Sequence, residues 1–404
     1  MSAVRASTAS GLCLFAGWLL DNLGAGLTAS LGAFAALYGS GRPYRNRARL
    51  LGFVVFGLVL SVVAGVEAAT VQSPWVSVAV ATLIATLASF FCGALNVAPP
   101  GAYMFMLACA AGTSIYGQGP HLVQIAMLVA AGGIVSWTLH MLGAIWRPRG
   151  PEDQAVANAA LAVADFIDSA ARGQSDLPRH KAATGLHDAW RALVAWQPAR
   201  DRSDVKLGQL QACSRELHGL FAAAVREASA GRSLDPKASA EARKIRFRQA
   251  ELPSEFALAG SNERRSFFEP GEMIATSFAW AGQPTRIAMR VGAAALIAGS
   301  VGILTGLERS YWAAAAAVLI LHQGLNWVRV MQRGLERTFG TILGLSVAAA
   351  LAWLQPHGLA LIGCIAGLQF AGQLFAVSNH ALAVFFFTPM ALLMATAVRE
   401  FIHF

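Results

Sequence analysis

The sequence predicts an all-α integral membrane protein, with two parallel-repeat helical bundles of six and at least five transmembrane helices separated by a helical cytoplasmic domain. Three observations predict it. Of 404 residues 56% are apolar and only 13% charged, with a mean hydropathy of +0.52; a soluble domain carries about 25% charge. The charge is unevenly placed. Residues 1–146 hold only the carboxylates Asp21 and Glu67, residues 286–404 hold Glu308, Glu336 and Glu400, and all the others fall between. Finally, the first apolar block recurs in the second. The expected divisions are therefore a first bundle over 1–146, a cytoplasmic domain over 147–285 and a second bundle over 286–404, the last incomplete.

Taken in order, apolar runs near spanning length cover 8–20, 24–39, 49–67, 75–94, 97–113 and 121–146, then 287–305, 310–322, 338–354, 358–376 and 380–398. Polar knots at Asp21-Asn22 and Glu308-Arg309-Ser310 break two of the pairs into tight turns. Arg42, Arg45, Arg47 and Arg49 follow the second run, Arg147 and Arg149 the sixth, and Arg329, Arg333 and Arg337 the eighth. These clusters fall on one side if the N-terminus is cytoplasmic, which puts 147–285 in the cytoplasm. The basic net charge of +9 thus reads as topology, not nucleic-acid affinity. Within 147–285, the runs 153–171 and 207–230 alternate at helical spacing, and Pro178, Pro198 and Pro253 mark breaks. The basic stretch 243–248 fits either a solvated helix face or contact with anionic headgroups. The five cysteines make no framework and read as small buried hydrophobes.

The repeat appears at a shift of 288 positions. Arg45, Arg49 and Gly52 then lie on Arg333, Arg337 and Gly340, and Asp21 falls beside Glu308. An even number of spans precedes the copy, so the halves share one orientation. A sixth span is missing from the second block, as expected of a truncated chain.

The segment from Tyr311-Trp-Ala through Leu321-His-Gln to Arg333-Gly-Leu-Glu-Arg-Thr-Phe-Gly-Thr-Ile-Leu-Gly344, with Asn379-His-Ala-Leu-Ala-Val and Phe387-Thr-Pro-Met390, resembles the fusaric acid resistance protein family. Ala29 to Gly39 followed by Arg42 to Arg49 agrees with it. The family includes aromatic carboxylic acid exporters. The resemblance implies a Gram-negative inner-membrane protein, multi-pass, exporting weak aromatic acids, often beside a periplasmic adaptor protein. A distant similarity to plant malate channels makes a conductive anion path the alternative. A homo-oligomer is also expected.

A carboxylate route needs positive potential and apolar walls. Arg45 and Arg49, like Arg333 and Arg337, share a helical face at i,i+4 spacing and are candidates to gather substrate at a cytoplasmic vestibule. The alternative is that they fix topology and bind lipid phosphate. His322, Gln323 and Thr388 are candidate substrate ligands, Thr388-Pro389 being a break within a span. Asp21, Glu308 and Glu67 are the candidate proton-coupling carboxylates, with Asp21 and Glu308 alternatively plain turn residues. Gly52, Gly340 and Gly344 would let helices approach closely. No HExxH, GxxxxGK[ST] or triad signature is present, so neither enzyme activity, metal nor cofactor is expected. The sequence leaves two functional classes: an organic-acid exporter, proton-coupled by default, and a non-transporting membrane scaffold whose cytoplasmic domain docks a partner.

Overall fold

A computed structural model describes residues 2–97, 100–117, 121–172, 176–197, 204–232, 236–248, 277, 282–307, 310–321, 327–376 and 378–400. No strand occurs among them. Each apolar run forms a helix: α1 (Ser2–Leu19), α2 (Leu23–Ala33), α3 (Tyr44–Thr70), α4 (Pro74–Ala94), α5 (Tyr103–Ile115) and α6 (Leu122–Trp146), then α11 (Gln283–Leu304), α12 (Tyr311–Leu321), α13 (Trp327–Leu354), α14 (Gly358–Phe375) and α15 (His380–Glu400). Between the two sets lie α7 (Gly150–Ala170), α8 (Asp176–Trp190), α9 (Val205–Ser229) and α10 (Pro236–Arg248).

Six of these helices are long and apolar enough to cross a membrane, namely α3, α4, α6, α11, α13 and α14; α2, α5 and α15 contribute shorter apolar stretches. The turns between helices have local causes. Asp21, Gln72, Asn96 and Gln355 adopt positive φ of 46–51°, which ends one helix and redirects the chain. Asn22 then caps α2, its side chain accepting from the Ala25 N–H at 2.9 Å.

The chain divides into two compact units. One holds both apolar blocks (1–40, 49–141 and 270–404), and the other holds 41–48 and 142–269. The two expected bundles are therefore a single unit. Helix α1 packs along α14, and α11 along α4; α2 touches α15, and α12 touches α5. Both long contacts run antiparallel through small residues. Gly11 of α1 lies against Ala366, while Gly299, Gly292 and Gly93 align α11 and α4 against Val78, Thr86 and Pro284. In lipid no hydrophobic force joins helices, so close backbone approach at small residues does.

In the other unit, α7 is central and packs against α8, α9 and α10. Val163, Phe166, Ile167, Leu186, Leu210, Leu217 and Ile245 form its core, each contributing roughly 1.5–3 kcal/mol of burial. Pro178 breaks nothing; it sits in the first turn of α8, where its missing N–H costs no helical bond. Pro198 and Pro253 lie outside the described residues. Along the basic stretch, Ile245 is buried in the core and Arg243 pairs with Asp168 at 2.7 Å. At 243–245 the helix is therefore amphipathic, with Ile245 turned inward and Arg243 paired at the surface.

Candidate functional site

Within the unit formed by the apolar blocks, α13 and α15 run parallel in the closest contact of the second block. A Cβ added at Gly340 would lie 2.5 Å from the Ala381 carbonyl oxygen, and one at Gly344 would lie 2.8 Å from that of Phe385 and 2.8 Å from Thr388 Cβ. Pro389 is buried inside α15 and offers no N–H to the Phe385 carbonyl. The Gly344 backbone lies against that carbonyl instead. The expected break at Thr388-Pro389 is absent: α15 continues through it, and the Thr388 hydroxyl donates to the Val384 carbonyl at 2.9 Å.

This register carries the Arg end of α13 to the start of α15. One and two turns before Gly340, Arg337 and Arg333 are partly buried, and His380 interacts electrostatically with both and with Glu336. Glu336 accepts from the Gln332 amide at 2.7 Å rather than pairing with Arg333. Among the described residues neither Arg333 nor Arg337 forms an ion pair. Asn379 caps α15, its side chain accepting from the Leu382 N–H at 3.2 Å. His380 was not singled out by the sequence reading; its signal was its place in the Asn379-His-Ala-Leu-Ala-Val segment, directly before an apolar run.

The residues of the first block have a different setting. Arg45 and Arg49 are exposed on α3. Gly52, expected to seat a neighbouring helix, is exposed too, and a Cβ there would meet nothing within 4 Å. The close approaches of α3 come later along the helix instead, with Gly57 against Phe105 and Gly65 against Cys109 of α5. Asp21 is exposed on the α1–α2 turn. Glu67 lines a cleft of about 420 Å³ with Val66, Thr70, Tyr116 and Leu122. Glu308, His322 and Gln323 lie outside the described residues.

Residues 293–401 match the family described as fusaric acid resistance protein-like. The second apolar block is thus similar to the fusaric acid resistance protein-like family. An uncharacterized membrane protein of Bacillus subtilis (strain 168) is 24% identical over 433 residues, which cover 98% of this chain and 67% of that protein. No solved structure matches the chain. The matched segment contains Arg333, Arg337, Gly340, Gly344, His380 and Thr388 together. The match and the relative both identify a multi-pass membrane protein.

Two polar networks lie elsewhere. The short α2 ends in a 3-10 turn, Phe34–Leu37, and α6 satisfies its free carbonyls. Ser136 donates to the Ala33 carbonyl at 2.9 Å, and His140 Nε2 bonds that of Ala36 at 3.0 Å; their i,i+4 spacing was the available signal. In the other unit, Arg42 and Arg191 each lie over the Trp196 ring, 4.7 Å from its centroid. Arg149 there donates to Asp204, Glu152 and Gln197. Arg149 and Glu152 are already neighbours at i,i+3 spacing, but only the fold brings Asp204 and Gln197 to them.

Proposed function

We propose that this chain is an exporter of aromatic or other organic carboxylic acids. It lies in the cell inner membrane, with the N-terminus and the 142–269 unit cytoplasmic. One observation carries the reading: the segment that matches the fusaric acid resistance-like family holds two partly buried guanidiniums at one end of a tightly packed helix pair. Arg presents its charge and donors in a planar fork that fits a carboxylate. Positive charge on the basic loops gives the orientation. Coupling to protons is assigned to Glu67, the carboxylate of the apolar blocks that lines a cleft.

We also infer that the two blocks are parallel repeats. Helix α1 of the first packs on α14, the fourth of the second, and α11 packs on α4, its counterpart. The 288-residue shift converts the Gly11–Ala366 contact into Gly299–Val78, and both pairs are in contact. In each half the third helix meets the fifth through glycine, at Gly57 and Gly65 in α3 and at Gly340 and Gly344 in α13. A two-fold axis along the membrane normal accounts for these correspondences.

Accumulation of labelled 4-hydroxybenzoate, compared in cells with and without the gene, tests export. The reading predicts lower intracellular acid in expressing cells and loss of that difference in Arg337→Ala. Equal levels in both strains would leave a membrane scaffold as the better account. Flux that follows voltage and ignores an imposed pH gradient would instead identify a passive channel.

A further inference from the structure

At the Arg end of α13 the two guanidiniums of Arg333 and Arg337 outnumber the one described carboxylate near them, Glu336. Glu336 is engaged by Gln332, and Arg333 and Arg337 are partly buried without an ion pair there. Withdrawing guanidinium from water without an anion is costly. The first turn of α15 faces the same place because Gly340 seats Ala381. It brings the His380 imidazole, and it also brings the amides of His380 and Ala381, which no helical carbonyl can reach. Arg45 and Arg49, by contrast, are exposed.

We propose that the junction of Arg333 and Arg337 with the first turn of α15 is the capture site for the exported carboxylate, and that His380 is its third ligand. The proposal rests on the export reading and places the site in the second half of the repeat alone. The two guanidiniums hold the carboxylate oxygens, and the imidazole N–H donates to one of them. A lipid phosphate offers the same oxyanion chemistry, so the test separates the two.

With the purified protein in a non-ionic detergent, 4-hydroxybenzoate should slow modification of His380 by diethylpyrocarbonate roughly tenfold, read by peptide mass spectrometry, and Arg337→Gln should abolish that shielding. In export assays His380→Gln should raise the half-saturating concentration roughly tenfold at an unchanged maximal rate, and His380→Arg should restore it. Shielding by added phosphatidylglycerol and not by the acid would overturn the proposal in favour of a lipid site. Export by the wild type with His380 unshielded, and with His380→Gln at wild-type half-saturation, would overturn the site and leave export standing. Shielding by the acid without any export would uphold the site and overturn the export reading. The shielding measurement needs no variant, so it decides even if His380→Gln fails to fold.

Discussion

Arg149 shows how much one side chain can organise. It donates to Asp204 at 2.6 Å and to Glu152 and Gln197 at 3.0 Å each, and Glu152 is only 1% exposed. Arg149→Ala would leave that buried carboxylate without its cation and should destabilise the unit by on the order of 3 kcal/mol, seen as a lowered melting temperature in detergent. Asp204 adds a pH dependence. Burial pushes its carboxyl up, but hydrogen bonds from Arg149 and from the Leu207 and Lys206 amides, together with the Arg149 charge, outweigh this and hold it below the usual carboxylate range. The folded state thus favours the ionised form. That stabilisation is complete above the ordinary carboxylate pKa and is lost as pH falls through the lowered one. Asp204→Asn keeps the cap on α9 but should flatten the acid side of a plot of melting temperature against pH; an unchanged acid side would refute the assignment. Only the Glu152 contact, at i,i+3, has a local pattern behind it; Gln197 and Asp204 lie 48 and 55 residues from Arg149, and nothing in the sequence links them.

Among the elements, α13 and α15 are the pair on which the site depends. Gly340→Val would drive a branched side chain into the Ala381 carbonyl and Val384. It should abolish monodisperse folded protein in fluorescence-detected size-exclusion chromatography. Gly52→Ala, at the matching position of α3, meets open space; it should be neutral or slightly stabilising, by up to about 1 kcal/mol. Equal damage from both would contradict the difference between the halves. The helices themselves were legible because apolar runs of this length have few other solutions in lipid. The continuity of α15 through Pro389 was not. Proline in a sequence signals a missing bond, but only the fold shows the Gly344 backbone lying against the carbonyl it leaves.

For the whole molecule, the proposed repeat has its sequence support in the Arg45, Arg49 and Gly52 match, whereas the mixing of the two blocks had none. Hydropathy says that a helix spans and does not say which helix it meets. The packing of α1 on α14 makes a direct prediction. In a background lacking Cys13, Cys92, Cys109, Cys213 and Cys364, the pair Gly11→Cys and Ala366→Cys should form a disulfide on oxidation. A Cβ at 11 would lie 3.8 Å from that of Ala366, and bridged cysteines have a Cβ separation of about 3.8 Å. Its counterpart, Val78→Cys with Gly299→Cys, should cross-link as well; two blocks standing apart would give neither bond.

Export is tested most directly in vesicles. Purified protein reconstituted into liposomes loaded with labelled 4-hydroxybenzoate should release the acid faster than protein-free liposomes when a pH gradient is imposed. The double variant Arg333→Gln and Arg337→Gln, folded by size-exclusion chromatography, should release it at the protein-free rate. Release by the double variant at the wild-type rate, or none by the wild type, would contradict the claim that these two guanidiniums serve an organic-acid exporter.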